Sequence, residues 1–338
     1  MHEIIEKRKQ KWIDFYDGKV NSLVLIALDC GKRPWPWPEN KTQRIEYALN
    51  AYNLYLDSIE KIDDDRIPCI FPNTGTEIFA RAFGCGVHYP ENDMPFALPY
   101  IRDSRELAKV KYPDLMNSTP ITEVIEIADK LRDSAPGALM QLPDIQSPLD
   151  IAALIWHKED FLAAMHDDPE AVKELIAMTE KFLGEFLDFW FGRYGRDFIA
   201  HYPDYYMPYG ITMSEDEAGA ISPEMFREFS LDSINRLSDR YGRIGVHCCA
   251  NSMHQWENFK SIKNLKLLNI VQKHEICQKA YVYFKDICGQ MHTENVDGDV
   301  FGKPENRGMR VIIQDTADNV GAAAEKAKAW RAWQEKFI

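Results

Sequence analysis

Short apolar runs rich in β-branched residues alternate along the chain with longer stretches whose apolar positions recur every three or four residues. The short runs fall at 22–28, 67–71, 138–142, 197–201, 243–248 and 265–271, with two weaker ones at 287–292 and 309–314. Near-continuous apolar runs of this length are the pattern of strands covered on both faces. The helical period occupies 42–62, 121–132, 148–156, 169–194, 223–241 and 317–337. Pro169 and Pro223 stand where a first helical turn tolerates proline, with Asp167-Asp168 and Ser222 ahead of them as capping residues. The charged, periodic first residues predict a helix before the first strand.

Eight strands separated by helices, read as parallel units, predict the α/β class: a single (β/α)8 TIM barrel with an N-terminal helical extension, one domain over 1–338. No GxGxxG or GxxxxGK[ST] follows a strand, which argues against dinucleotide and nucleoside-triphosphate sites. In such barrels chemistry sits at the carboxyl ends of the strands. That rule selects Asn73 and Glu77 after the second strand, Gln141, Asp144 and Gln146 after the third, and His201 to Tyr206 after the fourth. After the fifth it selects His247-Cys248-Cys249-Ala250-Asn251.

Strand alternation puts His247 and Cys249 on one face and Cys248 on the other. Imidazole and thiolate are natural zinc ligands, but two do not make a site. The plainer readings stand beside these. Cysteine is among the most buried residue types, so the pair also reads as ordinary strand packing. Glu77 reads equally as a first-turn residue or a pocket group, and Asp144 reads first as the cap of the helix beginning near Pro148. Tyrosines 202, 205, 206 and 209 read first as wall, with a phenol able to orient a substrate. Trp35-Pro36-Trp37-Pro38 reads as a rigid loop over the barrel mouth or a subunit contact, which allows a homodimer.

Composition narrows the partners. The chain is 45% hydrophobic and 28% charged, with a net charge of −13 and no basic block, which argues against nucleic acid. The longest apolar stretch, 23–28, is too short to span a bilayer, and no signal-peptide pattern opens the chain. Seven cysteines, an odd number in a long chain, fit free thiols in a reducing cytoplasm.

With these pieces in order, the chain resembles the uroporphyrinogen decarboxylase superfamily over most of its length. The matching segments are Gly75-Thr76-Glu77-Ile78 with Ala82-Phe83-Gly84-Cys85, and Ser147-Pro148-Leu149-Asp150-Ile151-Ala152. Then come Asp168-Pro169-Glu170-Ala171-Val172, Ile221-Ser222-Pro223-Glu224-Met225-Phe226-Arg227-Glu228-Phe229 and Val246 to Asn251. The resemblance implies one (β/α)8 barrel. The loop after the first strand, Asp29-Cys30-Gly31-Lys32-Arg33-Pro34-Trp35, lacks the arginine-rich pattern of the decarboxylases. The fit is closer to the zinc-dependent, corrinoid-linked methyltransferases, whose H-x-C-G-N motif matches His247 to Asn251 with alanine for glycine.

That group implies a zinc ion, a corrinoid (cobalamin) protein as partner, and a small thiol or other methyl acceptor or donor as substrate. It also takes a cysteine ligand at the end of the last strand, where this chain has Gln314-Asp315-Thr316. Asp315 and His292 rank first as substitutes and Cys288, near the wrong end of its strand, ranks behind them. The expected site therefore comprises His247, Cys249, Asp315 and His292 as metal ligands and Glu77 and Tyr205 as catalytic groups. Asn73, Gln141, Asp144, Gln146 and Tyr206 are expected to bind substrate. Two rival readings remain: a metal-free lyase gripping a small acid with Lys32, Arg33 and Arg81, and a non-catalytic barrel that binds a ligand or a corrinoid protein.

Overall fold

In the computed structural model, which describes residues 2–337, the apolar runs form parallel strands with helices between them. We number the central strands β1 (Ser22–Leu28), β2 (Cys69–Ile70), β3 (Leu139–Gln141), β4 (Asp197–Ile199), β5 (Tyr206–Pro208), β6 (Gly210–Ser214), β7 (Arg243–Cys248), β8 (Leu265–Ile270), β9 (Gly289–Gln290) and β10 (Arg310–Ala317). A six-stranded parallel sheet runs β1-β10-β9-β8-β7-β6, and a four-stranded one runs β2-β3-β4-β5. Only β5 is antiparallel to its neighbour in these two sheets.

Both edges of the larger sheet are hydrogen-bonded to segments beside the smaller one. At one edge Gln146 bridges Ser214 in parallel fashion, and the Ser147 N–H donates to the Ser214 carbonyl at 2.8 Å. At the other, the Asp65 N–H donates to the Val24 carbonyl at 2.7 Å. There the buried carboxylates of Asp65 and Asp64 accept the N–H groups of Val24 and Ile26. These acids satisfy donors that a neighbouring strand would otherwise take.

Helix α1 (His2–Tyr16) lies across the amino ends of the strands. The Tyr16 phenol donates to the Tyr206 carbonyl at 2.6 Å, and Arg310, first in β10, donates to the Tyr16 carbonyl at 2.9 Å. The carboxyl ends of the strands open on the opposite side, and no described helix is long and apolar enough to cross a membrane.

The expected strand order is corrected at one place. The run at 197–201 was expected to carry the fourth parallel unit to the rim. It does pair in parallel with β3, over 197–199, but it is also the first arm of a hairpin with β5, and the parallel neighbour of β7 is β6, a strand not expected from the sequence. Tyr209, with φ 55°, turns the chain between β5 and β6, and Gly210 then passes so close to β7 that a Cβ would stand 2.4 Å from the Arg243 carbonyl oxygen. Only glycine fits that approach.

Candidate metal centre and adjoining pocket

The carboxyl ends of β6 and β7 bring three ligand-bearing side chains together. Asp216 lies two residues beyond β6, His247 is the fifth residue of β7, and Cys249 follows its end. One ligand atom from each lies within 4.8 Å of the others, the only such group of metal-ligating residues among those described. The expected strand alternation holds: Cys248 points into the apolar core, with its thiol 3.3 Å from the Ser252 hydroxyl, while its neighbours face the group.

Each member is held from behind. The Asn269 amide oxygen lies 2.6 Å from His247 Nδ1, while the Asn269 nitrogen donates to the Met291 carbonyl. A carbonyl only accepts, so the amide orientation is settled and Nδ1 carries the proton, leaving the Nε2 lone pair free. Asp216 sits in a turn pinned by Asp150, whose carboxylate accepts the N–H of Asp216 at 2.8 Å and of Glu217 at 2.9 Å. The Asp216 carboxylate in turn accepts the Cys249 N–H at 2.6 Å.

A second acid, Glu215, is fully buried beneath the group and accepts the Ser230 hydroxyl at 2.6 Å. Burial pushes Glu215 up to about 8 and, with repulsion from Glu215, raises Asp150 as well. One turn of π-helix, Arg227–Leu231, places Ser230 there and interrupts the uniform helix expected over 223–241. Such bulges recur at functional sites.

Nitrogen, sulfur and oxygen from three residues are the donor set of a catalytic zinc site, which keeps its fourth position open. Burial, and after it the Asp216 carboxylate, pushes the Cys249 thiol up to about 12. A divalent cation between them reverses that preference by favouring the thiolate. The residues therefore fit a zinc ion.

The expected third ligands lie elsewhere, and Asp216 stands where they were sought. Asp315 faces the outer helix Val320–Phe337, where its carboxylate accepts from Lys326 at 2.7 Å and from the Trp330 indole at 2.9 Å. The His292 ring packs at a tilt against Tyr281, centroids 4.4 Å apart, with both nitrogens engaged, Nδ1 accepting from the Ile270 N–H and Nε2 donating to the Gln290 side-chain oxygen. Cys288 is buried just before β9, at the amino end.

Beside the triad opens a cavity of about 130 Å³ lined by Arg33, Asn73, Thr74, Gln141, Asp144 and His201, with Tyr202 and Met94 at its mouth. Tyr202 links the two features, its ring standing edge-on to the His247 ring at 5.0 Å. The Asp144 N–H donates to the Thr74 hydroxyl at 2.7 Å, and one Asp144 oxygen lies 3.6 Å from His201 Nε2. Asp144 is not the cap expected of it, because Ser147 accepts the Asp150 N–H and caps the next helix. Burial pushes Asp144 up to about 7 and presses His201 down to about 3, so His201 is a neutral imidazole.

Glu77, buried behind this wall, folds its carboxyl back over Gly75, where a Cβ would stand 2.3 Å from Oε2. Burial first, with Asp144 adding to it, pushes Glu77 up to about 7.

Among the other expected substrate groups, Asn73 and Gln141 line the cavity and Gln146 is buried near it. Tyr205 and Tyr206 do not reach it. The Tyr205 phenol is sealed in the core at the level of Gly245, where a Cβ would collide with it, and the Tyr206 phenol lies by Asp197 at the start of β4. Nor does the carboxylate clamp assemble, since Arg81 is paired with Glu123 at 3.1 Å and only Arg33 faces the cavity. Sequence reasoning missed Asp216 because the strand before it, Gly210–Ser214, was not among those expected. The available signal was the acidic run Glu215-Asp216-Glu217 directly after Ile211-Thr212-Met213-Ser214.

A family model described as uroporphyrinogen decarboxylase (URO-D) matches residues 69–296. No curated protein matches the sequence. Among solved structures, a methyltransferase from Methanosarcina mazei superposes with a TM-score of 0.65 at 14% identity, covering 98% of each chain.

Proposed function

The chain belongs to the uroporphyrinogen decarboxylase family, and from that premise we propose that it is a corrinoid-linked methyltransferase with zinc held by Asp216, His247 and Cys249. The observation that carries this reading is the convergence of those three ligands at the carboxyl ends of β6 and β7. The methyltransferase with a similar fold supports the same class. In this reading β1, β2, β3 and β6 to β10 are the eight staves of one closed barrel, and the hairpin β4–β5 is an insertion in its wall.

Zinc, when bound, supplies a Lewis acid that holds a sulfur or other heteroatom of the substrate in its ionised form. The chain's own residues do the rest. Asn269 keeps the His247 lone pair turned outward, Asp150 keeps Asp216 in reach of it, and Tyr202 covers one edge of the His247 ring. The methyl group passes to or from a corrinoid presented by a partner protein in the cytoplasm. The face for that partner is the rim of Trp35, Trp37, Tyr89 and Met94, where Trp35 stacks on Trp37 at 6.5 Å and Trp37 abuts Tyr89. A cavity of about 130 Å³ is well below the roughly 300–1,000 Å³ that even drug-sized ligands occupy, which argues against a porphyrinogen substrate.

Protein purified without added zinc is expected to carry about one zinc per chain. Asp216→Ala and His247→Ala should lose it, together with methyl transfer from methylcobalamin to a small thiol. Zinc retained in Asp216→Ala, or transfer undiminished in His247→Ala, would sink the proposal.

A further inference from the structure

Two local features beneath the triad run against stability, and they meet in one hydrogen bond. The first is Glu215, fully buried, whose charged neighbours Asp150, Asp216 and Glu217 include no cation. An apolar side chain would fill such a position at less cost. The second is the π turn Arg227–Leu231, which interrupts the helix running from Pro223 to Tyr241. At 3.6 residues per turn, one extra residue swings the side chains it carries by about 100°. Ser230 sits in that turn, and its hydroxyl donates to Glu215 Oε2 at 2.6 Å with both residues fully buried. The Ser233 hydroxyl donates to the Ser230 carbonyl at 2.7 Å, so the irregular turn is itself supported.

Glu215 immediately precedes the ligand Asp216, and the backbone around it is anchored on both sides. The Glu215 N–H donates to the His247 carbonyl at 2.8 Å, and the Ser214 carbonyl accepts the Ser147 N–H at 2.8 Å. Asp216 gives its N–H to Asp150, and its carboxylate accepts the Cys249 N–H. These bonds hold the main chain, and the Ser230 hydroxyl adds a grip on the Glu215 side chain from an element that carries no ligand. A metal ligand has to be kept within about 0.5 Å of its productive place by such supporting bonds.

We infer that Ser230 is a positioning residue for the metal: the π turn holds the Glu215 carboxyl through it, and Glu215 so held fixes the step that presents Asp216 to the ion. This rests on the zinc assignment proposed above and extends it to the helix behind the strand ends. It also accounts for both costly features at once, since neither the buried acid nor the π turn has another partner in common.

The test is metal binding to the whole chain, read by competition of zinc with a chromophoric chelator and by the absorption spectrum of the cobalt(II)-loaded protein. Ser230→Ala should weaken zinc about 10–100-fold. It should also shift the cobalt d–d bands toward those of Asp216→Ala while the Cys249 thiolate-to-cobalt band stays. Glu215→Leu should behave likewise, and Glu215→Gln, which keeps an acceptor for Ser230, should retain wild-type affinity. The double variant Ser230→Ala/Glu215→Leu should be no weaker than Glu215→Leu, because the hydroxyl acts through the carboxyl. Urea midpoints of the metal-free proteins identify the folded variants, and if either single variant fails to fold the other decides. Wild-type zinc affinity in a folded Ser230→Ala, unaltered cobalt bands, or losses that add in the double variant overturn the inference. A wild-type chain that binds neither ion overturns it together with the zinc assignment. The expected variant losses in a chain that transfers no methyl group support the inference and refute the functional reading alone.

Discussion

At the scale of single residues, the candidate centre is a set of ligands each made competent by a neighbour. His247 is useful to a metal because Asn269 holds its proton on Nδ1, and Asn269 is itself oriented by the Met291 carbonyl. Outer-shell partners of this kind contribute about 10–100-fold to metal affinity. Asn269→Ala is therefore expected to weaken zinc by that factor while leaving the fold intact, measured by competition with a chromophoric chelator. Unchanged affinity would mean that ring packing against Tyr202 alone orients His247. Asp216 depends in the same way on Asp150, which no residue-type argument would have linked to a ligand 66 positions away.

At the scale of elements, the wall between β1 and the segment before β2 is held by side chains as well as backbone. Asp65 accepts the Val24 N–H, both terminal nitrogens of Arg331 at 2.9 and 3.0 Å, and Lys11 at 2.7 Å. Burial by itself would raise its pKa, but the hydrogen bonds and charges of Arg331 and Lys11 outweigh it and hold the carboxyl below its usual range. One residue thus ties α1, β1 and the last helix together. Asp65→Ala leaves the half-buried Arg331 with only Asp63 at 3.4 Å and Gln334 at 3.0 Å, and breaking such a pair costs up to about 3–5 kcal/mol. Urea denaturation should show that loss, and a loss under about 1 kcal/mol would place Asp65 among ordinary surface pairs. The helix caps at Ser147, Asp168 and Ser222 belong to this scale too, and each accepts the N–H three residues on.

At the scale of the whole molecule, the interior end of the mouth stores carboxyl groups in their protonated forms. Glu77 and Asp144 are raised to about 7 in the folded state, against an unfolded range near about 4. Between those values the folded chain binds more protons than the unfolded one, so these groups lower stability as pH rises through that window. Each contributes at most about 1.4 kcal/mol per pH unit there. Glu77→Gln and Asp144→Asn should flatten the fall in urea midpoint between roughly pH 4.5 and 7. A slope identical to that of the wild type would show both acids ionised in the folded protein. The same buried acids that cost stability near neutrality are those left free to meet a ligand, a common relation between functional sites and local destabilisation.

Much of this was legible in the chain itself. Hydrophobic period alone determined the alternation of buried strands and helices, because each pattern has only one regular structure that can bury it. It also settled that His247 and Cys249 share a face while Cys248 takes the other, since strand alternation is a property of the backbone. The third ligand was a different kind of question. Asp315, His292 and Asp216 carry much the same ligand chemistry in a sequence, and only the folded molecule decides among them. Alternation turns Asp315 outward to Lys326 and Trp330, hydrogen bonds engage both nitrogens of His292, and pairing of β6 beside β7 carries Asp216 to the group. Which strands are neighbours follows from long-range pairing across the whole chain, and no local pattern encodes it.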